Sequence, residues 1–349
     1  MRTSRLAPLS LVAVLALTLT ACATSAAPNT QNAPDGSAAI GANPASADAF
    51  PVTIEHVYGT TTITEKPERI ATVAWANHEV PLALDVVPVG MSKATWGDDD
   101  GDGVLPWVED KLEELGAETP VLFDETDGIP FDEIAATEPD VILASYSGLS
   151  EDDYKTLSKI APVVAYPDVA WGTTYQQMIE MNATAIGLAD EGEKLIADLE
   201  KTTADALTAE PALAEASVMF SYLDLTDLSK ISFYTTHDTR PSFLADLGVA
   251  QPAIIEEKSK NTTDFFVEVS AEEAELFNDV DVFVTYGDET TVATLQADPL
   301  LSKIPAIAAG RVAVLPNATP LAASANPSPL SIGWGITDYF AILADAAAK

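Results

Sequence analysis

From residue 69 onward the chain alternates short apolar runs with segments in which apolar residues recur every three or four positions. The runs "RIATVA", "VVPVG", "DVILASY", "PVVAYP", "SVMFSYLD", "DVFVTYGD" and "GRVAVLP" have the length and branched-residue content of buried strands. Between them, "NHEVPLALD" predicts a short helix capped near Asn77, and "SEDDYKTLSKI" a helix capped at Ser150. A longer stretch from about Tyr175 to Leu207 places Met178, Met181, Ile186, Leu188, Leu195 and Leu199 at helical spacing. It reads as one long helix, with Gly187 and Gly192 its only weak points. A closing helix starts at about Ile332.

Strand and helix in alternation predict an α/β fold with a largely parallel sheet. The pattern also repeats. "PDVILASYSGLSEDDYKTLSKIAPVVAYP" and "VDVFVTYGDETTVATLQADPLLSKIPAIAAGRVAVLP" share a strand, a Tyr, a Gly turn, a helix ending in Leu-Ser-Lys-Ile and a second strand. The simplest architecture is two similar α/β lobes, residues 51–170 and 211–349, joined by a long interlobe helix within residues 171–210. Open α/β sheets bind ligands at the carboxyl ends of their strands, so two facing lobes create a cleft there. Tyr146 and Tyr286 are then expected to face each other across it.

The first 50 residues follow other rules. Arg2 and Arg5 precede an apolar run over residues 9–19, too short for a comfortable membrane span, and "LTAC" follows, holding the only cysteine, Cys22. A lone cysteine makes no internal disulfide. The flanks resemble an export signal ending in the lipobox of bacterial lipoproteins, so residues 1–22 read as a lipoprotein signal and Cys22 as a lipidation site that holds the protein on the extracytoplasmic face of the cell membrane. Residues 23–50, built from Ala, Ser, Pro, Asn, Gly and Gln, read as a disordered tether. No later segment is apolar enough to span a bilayer, which excludes a channel or permease.

The formal charge is -37, from 54 acidic and 17 basic residues, and removal of Arg2 and Arg5 with the signal leaves 15 basic residues. Such a field repels nucleic acid and weighs against a strongly anionic ligand unless its site is locally basic.

The segments "KPERIATVAWANHEVPLALDVVPVG", "IAATEPDVILASYSGLSEDDYKTLSKIAPVVAY", "TRPSFLADLGV" and "NPSPLSIGW" together resemble the ferric-siderophore-binding lipoproteins of ABC importers, relatives of the vitamin B12-binding proteins. The resemblance covers nearly all of residues 52–349. It implies two lobes with limited closure about a rigid helix, a ferric siderophore as ligand with no cofactor required, a monomer, and a membrane permease with its ATPase as partners. It also implies an acidic docking residue on each lobe tip, for which Glu79 in "NHEVPLAL" and Asp246 in "FLADLGV" are the matching positions.

The residues themselves supply candidate ligand contacts at strand ends: Trp75 and Asn77 after the first strand, Tyr146 and Ser147 after "DVILAS", Trp171 before the long helix, and Tyr222, Arg240 and Tyr286 in the second lobe. Indole, phenol and guanidinium groups suit a bulky metal chelate, offering flat apolar faces and a few donors. Arg240, in the turn "THDTRPS", is the one plausible cleft cation, and this scarcity, with the acidic surface, favours a neutral or cationic hydroxamate-type siderophore over an anionic catecholate. A second reading stays open, in which His78 and His237 with a tyrosine ligate haem or a bare metal ion. His56 reads as a surface residue.

"DDDGDGVLPWVE" is a separate feature. Asp98, Asp100, Asp102 and Glu109 fit the spacing of a calcium loop with Gly103 at the sharp turn, although Pro106 lies inside it and no entering helix precedes it. The alternative is an acidic, solvated turn ahead of a helix N-terminus that favours carboxylates. No Gly-x-Ser-x-Gly elbow, phosphate-cradling loop or His-Glu-x-x-His pair is present, so a binding protein is expected rather than an enzyme.

Overall fold

A computed structural model describes residues 50–349. The expected signal, Cys22 and all of the expected tether except Phe50 lie outside the described residues. A hairpin of β1 (Val52–His56) and β2 (Gly59–Ile63) opens the described chain. Five parallel strands follow, β3 (Ile70–Thr72), β4 (Gly90–Ser92), β5 (Val121–Phe123), β6 (Val141–Leu143) and β7 (Val163–Val164), in the order β5-β4-β3-β6-β7. The second sheet contains β8 (Val218–Tyr222), β9 (Lys230–Tyr234), β10 (Phe266–Ser270), β11 (Val282–Gly287) and β12 (Val312–Pro316), in the order β10-β9-β8-β11-β12. Here β9 runs antiparallel to both neighbours, while β8, β11 and β12 are parallel.

The strand order reverses at β3 and β6 in the first lobe and at β8 and β11 in the second, so each lobe has a switch point where connections diverge and leave a crevice. The expected two-lobe α/β architecture is what the chain adopts. The second lobe's core stacks Phe233, Phe277 and Phe283, all fully buried. Each side chain of that size contributes roughly 1.5–3 kcal/mol when removed from water.

Two expectations on element bounds are corrected. "VVPVG" forms the strand only at its end: β4 begins at Gly90, after a turn in which Asp85 takes φ 61°. The long helix is two, Tyr175–Ala185 and Ala189–Ala209, because Gly187 adopts φ 74°, which only glycine enters freely, and breaks the ladder. The first opens with a capping box between Thr174 and Gln177. The second packs against the C-terminal helix Ser331–Ala347, and both contribute to a core shared by the two lobes. No helix among the described residues is long and apolar enough to cross a membrane.

Candidate functional site

The first lobe's wall begins in the loop leaving β3. Ala74 and Ala76 both take φ 61°, and Trp75 sits between them. Left-handed backbone costs a non-glycine residue roughly 1–2 kcal/mol, so something must hold this turn. Glu125, just beyond β5, accepts the Ala74 N–H on both carboxylate oxygens at 3.0 Å. Asn77 does the rest: its amide donates to the carbonyls of Val73 (2.8 Å) and Tyr146 (2.9 Å), and its oxygen accepts from the Tyr146 N–H (3.1 Å) and from Asn182 (3.2 Å). Asn77 is therefore not a ligand contact, because its polar atoms are consumed in joining the β3 and β6 loops. Ser147 is likewise withdrawn: it is fully buried and donates to the Ala144 carbonyl at 2.7 Å.

Tyr146 and Trp171 complete this wall, edge to face with centroids 5.5 Å apart. The indole lies directly over Gly148, where a Cβ atom would come within 2.3 Å of its Nε1. Trp171 itself has φ 62° and donates its N–H to the Ser147 carbonyl at 2.9 Å.

The opposite wall is organised by Arg240. Its guanidinium carbon stands 4.2 Å from the Tyr234 ring centroid and 5.8 Å from that of Phe220, which satisfies a cation without supplying a second hydrogen-bond acceptor. Asp238, buried and N-capping the helix Thr239–Asp246, lies 3.5 Å from Arg240 Nε. Burial raises the Asp238 carboxyl above the ordinary range, and the neighbouring guanidinium opposes that rise. Asp238 in turn holds Arg240 charged beyond the usual arginine range. Arg240 Nε is buried and has no hydrogen-bond partner within the protein.

The walls meet around a cavity of about 250 Å³ lined by Trp75, Tyr146, Trp171, Asp238, Arg240, Phe265 and Asn326. Four of the expected contacts, Trp75, Tyr146, Trp171 and Arg240, are brought together here. Tyr286 stands just behind, packed on Phe220 and meeting Trp96 edge-on at 5.3 Å. Tyr222 is half exposed at the end of β8 and does not line the cavity. Sequence reasoning missed Asp238, Phe265 and Asn326. Of these, Asp238 had a legible cue, an Asp ahead of a helix start, whereas Phe265 and Asn326 lie in loops whose course no periodicity reveals.

The histidines do not converge. His78 is buried beside a small cavity under the Trp75 loop, and desolvation lowers its pKa to about 4, so the ring is neutral. His237 turns its Nε2 toward the Ser259 carbonyl (3.4 Å), and neither residue lines the cleft. His56 is not a surface residue: it is buried, with Nε2 3.0 Å from Thr61 Oγ1 and Nδ1 accepting from the Tyr58 N–H.

Glu79 is not exposed on a lobe tip. It is fully buried, accepting from Trp107 Nε1 at 2.8 Å and from the Leu330 N–H at 2.9 Å. Asp246 is exposed, at the end of its helix. In the acidic loop, oxygens of Asp98, Asp100 and Asp102 lie within 4.8 Å of one another, and Glu109 lies in the first turn of the following helix. Asp98 already accepts the N–H groups of Gly101 (2.8 Å) and Gly103 (2.7 Å), which places it in a self-satisfied turn. Burial, Asp102 and Asp100 raise the Glu109 carboxyl. Nothing here favours calcium over the solvated turn.

Residues 70–319 match the periplasmic binding protein family. Among curated proteins, the probable siderophore-binding lipoprotein YfiY of Bacillus subtilis (strain 168) is 29% identical over 154 residues, 44% of either chain, so the match spans under half of that relative. Among solved structures, PiaA of Streptococcus pneumoniae TIGR4 in complex with ferrichrome is 45% identical, covering 85% of this chain and 99% of that one, with a TM-score of 0.81. A periplasmic solute binding protein from Mycobacterium smegmatis is 25% identical over 85% of this chain and 98% of its own, with a TM-score of 0.68.

Proposed function

The chain belongs to the periplasmic binding protein family, and from that membership we propose that it is a lipid-anchored extracytoplasmic receptor that captures a ferric siderophore of the trihydroxamate type and delivers it to an ABC importer. The observation that carries the reading is the interlobe cavity, in which one cation, Arg240, is paired with Asp238 among Trp75, Trp171 and Tyr146. The two charges nearly offset one another, so the cleft holds no excess of positive charge for a multiply anionic catecholate chelate. Indole and phenol faces suit the apolar flanks of a neutral chelate, and the guanidinium, Tyr146 hydroxyl and Asn326 amide suit its hydroxamate oxygens. The ferrichrome complex of PiaA, at 45% identity, supports the same ligand class.

The cavity is smaller than such a chelate, so the lobes enclose its iron-bearing face and leave its periphery in solvent. Capture involves no bond making. Cys22 is the anchor, residues 23–50 are the leash, and the permease with its ATPase receives the cargo. Of the two expected docking carboxylates, Asp246 alone is at the surface and retains that role. Cells lacking the protein should lose uptake of iron supplied as ferrichrome, and a Cys22→Ser form released from the membrane should fail to restore it. Undiminished uptake in the deletion strain would refute delivery.

A further inference from the structure

We propose that Glu125 is a positioning residue for ligand capture, acting through Trp75: its carboxylate clamps the turn Ala74-Trp75-Ala76 that presents the indole to the cleft. The proposal rests on the reading of that cleft as the ligand site. Two alanines in left-handed conformation on either side of one tryptophan is an arrangement that the chain does not adopt unaided. Glycine would enter it freely, yet both alanine side chains are buried, and Ala76 packs with Val80 and Tyr146 in the shared core. The turn is therefore held by its surroundings.

Asn77 fixes the exit of the turn, and Glu125 fixes its entry by taking the Ala74 N–H on both oxygens. The choice of a carboxylate is informative. Glu125 is half-buried, burial raises its carboxyl above the ordinary range against the Ala74 N–H that favours the charged form, and among the described residues it forms no ion pair: the nearby Lys93 joins the adjacent Asp124 instead, at 3.6 Å. A neutral amide would accept the same N–H at lower desolvation cost, but a charged acceptor makes a hydrogen bond about twice as strong. Strength at this one N–H is what the left-handed turn requires. Ser92, at the end of β4, stands beside Glu125 and favours its charged form. The carboxyl ends of β4 and β5 thus hold the loop of β3.

The test is a double-mutant cycle in the intact chain with ferrichrome as the probe. Glu125→Ala should weaken ferrichrome binding about tenfold, Glu125→Gln by less because one acceptor remains, and Glu125→Ala added to Trp75→Ala should cause no further loss. The near-UV dichroism attributable to Trp75, taken as the difference between the chain and its Trp75→Ala variant, should change in Glu125→Ala. Losses that multiply in the double variant, or wild-type affinity in Glu125→Ala, overturn the proposal. If Glu125→Ala does not fold, Glu125→Gln carries the same cycle with a smaller expected loss. If the unaltered chain does not bind ferrichrome, the functional reading fails instead, and an unchanged Trp75 band in the Glu125 variants would separately overturn the clamp.

Discussion

The side-chain amide of Asn326 donates to the phenolic oxygen of Tyr146 at 3.0 Å, across the cleft between the lobes. The Asn326 oxygen accepts from Thr239 at 2.6 Å, so one carboxamide ties the loop before the C-terminal helix both to the first lobe and to the helix that starts beside Arg240. Trp96 on Tyr286 and Trp107 on Trp334 join the same two halves through aromatic faces. Glu79 links the first lobe to the amide of Leu330. The cavity is therefore bounded by residues that hold one another, which limits how far the lobes part.

Tyr146→Phe removes the acceptor of the Asn326 amide while keeping the ring against Trp171. A fully buried donor left unsatisfied costs roughly 1–3 kcal/mol and this half-buried one less, so calorimetry should show modestly lower stability, and small-angle scattering should show a wider separation of lobes. An unchanged melting temperature would show that this bond contributes nothing to the clasp.

Arg240→Ala should reduce affinity for a ferric trihydroxamate by at least about tenfold, about 1.4 kcal/mol, with circular dichroism reporting a folded protein. Arg240→Lys should not restore it, because a compact ammonium lacks the planar face that stacks on Tyr234. Equilibrium titration decides, and wild-type affinity in Arg240→Ala would remove this residue from the site.

Gly148→Ala places a methyl group where the Trp171 indole rests. Overpacking of this kind typically costs about 1–3 kcal/mol or displaces the neighbour, and here the neighbour is a cleft wall. The variant should bind more weakly and shift its tryptophan emission. Equal affinity would mean that Trp171 does not touch the ligand.

Glu79 gives a pH signature. Burial raises its carboxyl above the usual 4.5, against the hydrogen bonds from Ser328, Leu330 and Trp107 that favour the charged form. The folded state then holds this proton more tightly than the unfolded chain, so its contribution to stability is fully present below about pH 4.5 and is lost as pH rises through the folded value. The melting temperature of the native chain minus that of Glu79→Gln should fall as pH is raised from about 4 to about 7. A rising difference would reverse the sign assigned to burial.

Much of the fold was legible because each lobe buries its sheet on both faces. Continuous apolar runs such as Val141–Leu143 and the stretch Val282–Val284 of β11 follow directly from that burial. Ser150 capped its helix as its position implied. "VVPVG" misled because an apolar run need not be buried throughout: Val86 packs only partly against the core, Val87 is exposed, and strand pairing starts at Gly90. The site was half legible. Aromatic residues and an arginine at strand ends were the right chemistry, and Trp75, Tyr146, Trp171 and Arg240 converge. Asn77, Ser147 and Glu79 occupy the same loops, but their side chains turn inward, a choice made by hydrogen-bond partners such as Asn182 and Trp107 that are distant in sequence. Phe265 and Asn326 reach the cavity only through loop paths set by tertiary packing.

The most direct measurement is a tryptophan-fluorescence titration, since Trp75 and Trp171 line the cavity and Trp96 stands against Tyr286 behind it. Ferrichrome should quench saturably at submicromolar concentration, and a ferric tricatecholate should bind far more weakly. No response to ferrichrome, with tight binding of the catecholate or of haemin, would contradict the account.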